Sequence, residues 1–234
     1  MSYAMLFLLV LVFSGSSLHA QYYDDRPYQQ SHARYLSAGF LYSAFNRRSS
    51  NRVADSLAIE FNRIMPVVAY RQGLLEIAFG YTRYTLQGES RSAIFFGGTY
   101  SNELLLTGSR GSALLLPVLL STDFTKAEGN STVREDFNIA SVGIGGGLKY
   151  RYFHETIDLS LRAVEVIHFS FEGLGVGNGF SAATIAEVAF LLKDALVLDG
   201  IVFGYRFRLQ TWSMDNTDFN YRSISHGPFV GVMF

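Results

Sequence analysis

The sequence predicts an antiparallel transmembrane β-barrel of about ten strands, and three observations carry that fold class. The first is parity. From Ala140 the even positions run Ala140, Val142, Ile144, Gly146, Leu148, Tyr150 and Tyr152, whereas the odd ones run Ser141, Gly143, Gly145, Gly147, Lys149 and Arg151. A period of two is the signature of an extended strand. After His154-Glu155 the parity swaps, with Ile157, Leu159, Leu161, Ala163, Ile167, Phe169 and Phe171 against Asp158, Ser160, Arg162, His168, Ser170 and Glu172. The second is length, since both segments far exceed the roughly five or six residues of a soluble strand. The third is the quality of the two faces. One is continuously apolar with aromatics near its ends; the other is too glycine-rich and sparse for an outer surface but suits a crowded lumen.

Composition agrees. Aromatic residues make up 15% and charged residues 17% of the 234 residues, against about 25% charged in an ordinary soluble chain. A net charge of −1 gives no electrostatic pull toward nucleic acid or an anionic membrane surface. The absence of cysteine excludes disulfides, thiolate metal sites and a lipid-modified N-terminal cysteine. Residues 1–20, with the apolar core Met5 to Phe13 and then Leu18-His19-Ala20, read as a secretory signal peptide. Its apolar run is too short to span a bilayer as a helix. No later run of about 18 apolar residues occurs, so further membrane insertion must be by strands.

In chain order, residues 21–33 lack periodicity and form a polar leader, and 34–234 form the barrel. The first predicted strand runs from Tyr35 to Phe45, followed by a basic loop from Asn46 to Arg52. The second, Ala58 to Tyr70, is the least regular, and its Pro66 cannot donate to a ladder, which suggests a bulge or a weakly paired position. Arg71-Gln72-Gly73 turns into a third strand with Leu75, Ile77, Phe79 and Tyr81 on one face and Glu76 and Gly80 on the other. Gln87 to Arg91 is expected to be a short loop, and this joint leaves eight or twelve strands as alternatives. The fourth strand alternates Phe96, Tyr100, Leu104 and Leu106 with Gly97, Thr99, Ser101 and Glu103. After Gly108 to Gly111 the fifth runs to Phe124 with Pro117 inside it, and Thr125 to Asp136 is a longer loop. Strands six and seven are the parity pair. Gly173 to Ala183 is expected to be a loop, with strand eight following and exposing Ala186, Val188, Phe190 and Leu192 opposite Glu187 and Lys193. Strand nine alternates Ile201, Phe203, Tyr205, Phe207 and Leu209 with Gly204, Arg206, Arg208 and Gln210. Met214 to Tyr221 is a loop, and Arg222 to Phe234 is the last strand. Connections after even-numbered strands are the shorter set, which places both termini on the short-turn side.

The chain ends Gly227-Pro228-Phe229-Val230-Gly231-Val232-Met233-Phe234. A terminal Phe234 with Val230 and Val232 at alternate positions resembles the C-terminal recognition strand of bacterial outer-membrane proteins. With the signal peptide, the whole chain resembles a small outer-membrane β-barrel of the OmpA/OmpX-like or porin-like kind. That resemblance implies location in the bacterial outer membrane, outer-membrane lipid around the barrel, and a barrel-assembly machinery that reads the last strand by adding it to an edge. It implies no specific activity.

By parity the lumen receives Glu76, Glu103, Lys149, Arg151, Asp158, Arg162, Glu187, Lys193, Arg206 and Arg208. Mixed signs at this density favour ion pairs that fill a narrow barrel over a selective pore, with a small aqueous path biased by arginine as the alternative. His168-Phe169-Ser170 with Glu172 or Glu187 is similar in spacing to the His-x-Ser of outer-membrane lipid A deacylases, in which the histidine activates the serine. Phe171 stands where those enzymes carry Asn, and alternation turns His168 and Ser170 into the lumen, away from lipid. Glu165 falls on the lipid-facing row, and a bulge near Val164 is the expected relief. His154-Glu155 and Ser225-His226 lack a chemical partner set. The sequence contains no phosphate-binding glycine loop, metal-ligand cluster or interleaved basic and aromatic patch.

The expected function is therefore a monomeric outer-membrane barrel with a structural or surface-interaction role, or a narrow channel, without cofactor, metal or enzymatic activity. A barrel-embedded lipid A deacylase-like hydrolase is the runner-up, and a soluble lipocalin-like binder with its apolar rows turned inward is the third reading. If the last strand is the assembly signal, deleting Phe234 should lower the amount of assembled barrel and increase degradation without impairing secretion; undiminished assembly would show the terminal likeness to be accidental.

Overall fold

The computed structural model describes residues 34–48, 58–109, 111–129, 136–172, 178–195, 198–215 and 219–234. The expected signal peptide and leader lie outside them. Ten strands, β1 (Arg34–Arg47), β2 (Phe61–Gln72), β3 (Leu75–Leu86), β4 (Glu89–Gly108), β5 (Ser112–Ala127), β6 (Phe137–Phe153), β7 (Ile157–Glu172), β8 (Asn178–Lys193), β9 (Gly200–Met214) and β10 (Tyr221–Met233), pair antiparallel in sequence order. β1 closes on β10, from Tyr35 opposite Met233 to Arg47 opposite Tyr221, so the sheet is a closed barrel. Closure leaves no edge strand. The strands are tilted: following the register from Ala113 of β5 through Arg151, Ser160, Ala189, Gly204, Phe229, Gly39, Val67, Gly80 and Phe95 around the wall returns to β5 at Thr125. That stagger is what a closed barrel of tilted strands requires.

Side-chain alternation sorts the wall into two environments. Phe40, Ile64, Phe79, Val142, Leu148, Ile167, Phe169, Phe180, Phe203 and Val230 are exposed on the outer surface. A belt of large apolar side chains this extensive would be untenable in water and identifies a membrane-spanning surface. The inward row of β6 shows why its polar face is glycine. A Cβ on Gly143 would lie 2.3 Å from the carbonyl oxygen of Ile167, and one on Gly147 would lie 2.0 Å from that of Ala163. β6 thus approaches β7 too closely for a side chain at Gly143, Gly145 or Gly147, leaving space for Val164, Val166 and His168 to fill the lumen beside it.

Several strand limits differ from the sequence expectation. Gln87 to Arg91 is not a loop. β3 and β4 meet in a two-residue turn in which Gln87 and Gly88 have φ of 52° and 84°, the left-handed pair that gives a hairpin its matching twist. The ladder therefore continues to Leu86 opposite Glu89 and fixes the count at ten. β5 continues to Ala127. β8 starts at Asn178 rather than after Ala183, because Phe180, Ala182 and Thr184 already alternate outward with Ser181 and Ala183, and their pairing with β7 is uninterrupted. Met214 ends β9, where it pairs with Gly179. β2 starts at Phe61, and Ala58 and Ile59 precede it as buried non-strand residues. The bulge expected near Val164 is absent: Gly146, Glu165 and Thr184 are directly aligned across three strands. Glu165 stays on the outer face and accepts a hydrogen bond from Thr184 Oγ1 at 2.7 Å.

Each of the three prolines inside a strand interrupts one ladder and leaves the other intact. Pro117 pairs with Glu103 on β4, but the β5–β6 register skips from Leu115 to Val118. Pro228 pairs with Tyr205 on β9, but the β1–β10 register skips Phe40 and Leu41. Pro66 has the largest effect. It pairs with Phe40 on β1, whereas the β2–β3 ladder ends at Val67 opposite Gly80. The missing N–H removes the bond with which the next rung would begin. Beyond it Phe61–Pro66 and Tyr81–Leu86 run side by side without a ladder, and Thr82 Oγ1 bridges them by donating to the carbonyl of Ile64 at 2.9 Å.

Outward and inward rows make opposite predictions for labelling by a lipid-soluble maleimide. Single cysteines at Phe203, Tyr205 and Glu165 should react from the membrane phase, whereas cysteines at Lys149, Arg206 and His168 should be shielded. Labelling at 168 with protection at 165 would mean that β7 has slipped by one residue.

Candidate functional site: a lumen filled by ion pairs beneath an aromatic roof

The lumen has two storeys, and the loop-side storey was absent from the sequence reading. Inward residues at the loop ends of six strands, Phe45, Phe61, Tyr84, Phe137, Trp212 and Tyr221, converge with Ile59, Ile139 and Phe219 into one buried cluster. Phe45 lies at its centre, stacked on Tyr221 at 4.7 Å between centroids and on Phe61 at 5.4 Å, with Phe137 edge-on at 5.0 Å. Phe61 in turn stacks on Tyr84 at 4.5 Å. The chain before β2 adds to this roof: Ile59 is buried in it and its N–H donates to the Tyr221 hydroxyl at 3.2 Å. Each such aromatic contact is worth about 0.5–1.5 kcal/mol beyond area burial. The sequence signal existed, because these aromatics stand on the otherwise polar parity at the loop ends of their strands.

Below the roof lie the charges. Lys149 Nζ donates to Glu103 Oε1 at 2.6 Å, reaching past β5, and Arg71 approaches the same carboxylate at 3.8 Å. Arg206 is held by Glu187, its direct cross-strand neighbour, at 2.5 Å, and by Glu76 across the lumen at 2.8 Å. Arg151 and Lys193 share Asp158 at 3.5 and 2.7 Å, nearest the short turns. Arg208 crosses from β9 to Asp123 on β5 at 2.6 Å, while its guanidinium lies 4.9 Å over the ring of Phe95. Arg71 and Asp123 are partners that the sequence reading did not nominate. Asp123 falls on the inward parity of strand five, one residue before its predicted end at Phe124, and Arg71 falls in a predicted turn. Arg162 stands opposite Glu187 in the β7–β8 ladder and its charge acts on that carboxylate without an ion pair at contact distance, and its Nε, like that of Arg208, is buried without a hydrogen-bond partner.

His168 and Ser170 are both fully buried in the lumen. His168 Nε2 faces Asp123 Oδ2 at 3.0 Å; the carboxylate at the histidine is therefore Asp123, and neither Glu172 nor Glu187. Ser170 Oγ donates to Ser181 Oγ at 3.1 Å and shares a hydrogen bond with Ser141 Oγ at 2.9 Å. Arg208 also donates to Gln210 Oε1 at 2.8 Å, which extends this network toward Ser181. The arrangement is a cross-braced set of hydrogen bonds in which the serine is engaged by other serines. Glu172 ends β7 opposite Ile139. His226 is on the outer wall, hydrogen-bonded through Nδ1 to the Tyr205 hydroxyl at 2.6 Å and 5.3 Å from the ring of Tyr42. Val230, Val232 and Phe234 are exposed on the outer face at the terminal end of β10. No group of three or more His, Asp or Glu side chains suited to a metal ion occurs among the described residues.

Asp123 therefore carries the load that holds β5, β7 and β9 together across the lumen. Asp123→Ala should destabilise the barrel by about 3–5 kcal/mol, because it leaves the Arg208 charge buried without its partner. Ser170→Ala, which removes one neutral hydroxyl from a serine chain, should cost only about 1 kcal/mol. Urea unfolding of the two variants in parallel checks this ranking.

No family model and no curated protein matches the sequence. Among solved structures, the outer membrane protease OmpT from Escherichia coli is similar at 10% identity and a TM-score of 0.39, with 90% of this chain and 99% of that one covered. Ail, the attachment invasion locus protein of Yersinia pestis, is similar at 8% identity and a TM-score of 0.23, with 87% and 99% covered.

Proposed function

We propose that the chain is an occluded outer-membrane β-barrel with a structural or surface-interaction role, and that it is neither an open pore nor a hydrolase. The observation that carries this reading is the double closure of the lumen. An ion path would have to displace the rings packed around Phe45 and then pass between Arg206, Glu187 and Glu76, which bridge the barrel from β8 and β9 to β3. A narrow barrel filled by its own side chains gives a stiff scaffold for the connections at its loop end. The location rests on the lipid-facing belt of the closed barrel. Nothing in the geometry favours hydrolysis: Ser170 is bound to serines, and His168 is turned to Asp123 inside the wall, away from the lipid on which a deacylase would act.

Planar-bilayer recordings of the refolded protein are expected to show no stable conductance steps. A steady ohmic conductance in wild-type protein would replace the occluded reading with the narrow channel.

A further inference from the structure

We propose that the lumen contains a binding site for a single-chain alkyl carboxylate, which enters from the apolar belt through the unladdered seam between β2 and β3. The site is a cavity of about 100 Å³ beneath the aromatic roof. Its β1–β4 side is mostly apolar, with Leu41, Phe61, Met65, Val67 and Ala78 around Glu76, and its far side carries Arg162, Arg206 and Arg208 together with Asp123 and Glu187. This division matches a molecule with one apolar chain and one anionic head.

Arg162 supplies the head site. Arg206 and Arg208 make ion pairs with Glu187, Glu76 and Asp123, whereas Arg162, opposite Glu187 in the β7–β8 ladder, makes no ion pair at contact distance among the described residues and leaves its buried Nε without an acceptor. A buried guanidinium donor without an acceptor is costly, and a ligand carboxylate is the group that best satisfies it.

The seam supplies the entrance. Above Val67–Gly80 no ladder joins β2 to β3, so the wall can part there without breaking backbone rungs. The inward side chains Met65 and Val67 on its β2 edge are themselves cavity wall. Thr82 Oγ1 to Ile64 O is the cross-link at this level, with the Phe61–Tyr84 stack above it. The cavity is too small for a two-chain lipid.

Trp212 is the only tryptophan and lines the same cavity, so its fluorescence reports on occupancy. With the folded protein in lipid nanodiscs, dodecanoate brominated at its terminal carbon is expected to quench Trp212, and the equally long trimethylammonium amphiphile brominated at the same carbon is expected not to. Arg162→Gln should raise the half-quenching concentration about tenfold, the loss of one charge-assisted hydrogen bond. Ala78→Leu, which fills the cavity without touching a charge, should abolish quenching and keeps the proposal testable if the arginine variant fails to assemble. Thr82→Val should speed the onset of quenching and Pro66→Ala should slow it, both with the same end level. Equal quenching by both head groups, quenching by a bulk phospholipid brominated along its chains, or undiminished quenching in Ala78→Leu would overturn the site. An onset unchanged in both seam variants would overturn the entrance.

Discussion

A bilayer interior offers no hydrogen-bond partner to a peptide group, so the wall can exist only if β1 finds β10 and every strand is paired on both sides. That closure determines almost everything else. It forces the strands to tilt, so that the register climbs from Ala113 to Thr125 in one circuit. It also commits each residue to lipid or lumen, because a slip by one position would exchange the two faces of a strand. The three in-strand prolines mark the tolerance of this requirement. Pro117 and Pro228 each cost a short break that neighbouring rungs span. Pro66 ends its ladder for the rest of the strand, and the side chains of Thr82, Phe61 and Tyr84 take over the contact between β2 and β3.

Once the wall is closed, the inward rows must fill a narrow space, and the structure does so by type. Aromatics from six strands form the roof. Apolar residues of β5 and β7, among them Leu115, Leu119, Val164 and Val166, pack one side of the lumen, where the glycines of β6 make room. Charges occupy the remainder. Buried ion pairs add little net stability over apolar packing of the same volume, but they do specify geometry. Asp123 illustrates this, since it joins Arg208 from β9 to His168 from β7 at a point where neither strand is a ladder neighbour of β5. Glu165 is the exception on the outer face. Its cost is limited because a carboxylate at mid-depth is less unfavourable than the roughly 2–4 kcal/mol of a lysine or arginine, and because Thr184 donates to it.

What the sequence by itself determined was local. Alternation along Ala140 to Tyr152 and Ile201 to Gln210 sufficed to assign strands, faces and a barrel, since period two is a property of each strand alone. Gly73, with φ of 55°, made its turn legible for the same reason. The misread limits at Gln87, Asn178 and Met214 lay where glycine and polar residues masked an alternation that the neighbouring strand enforces. The partners of the inward charges were decided only by the tertiary structure. Lys149 meets Glu103 and Arg206 meets Glu76 across strands that are not adjacent. Such meetings depend on the stagger of the whole barrel, which no single strand encodes. The same holds for the aromatic roof, the unpartnered Nε of Arg162 and the straight passage of β7 through Glu165. Each is set by which rows face one another once the last strand has closed on the first.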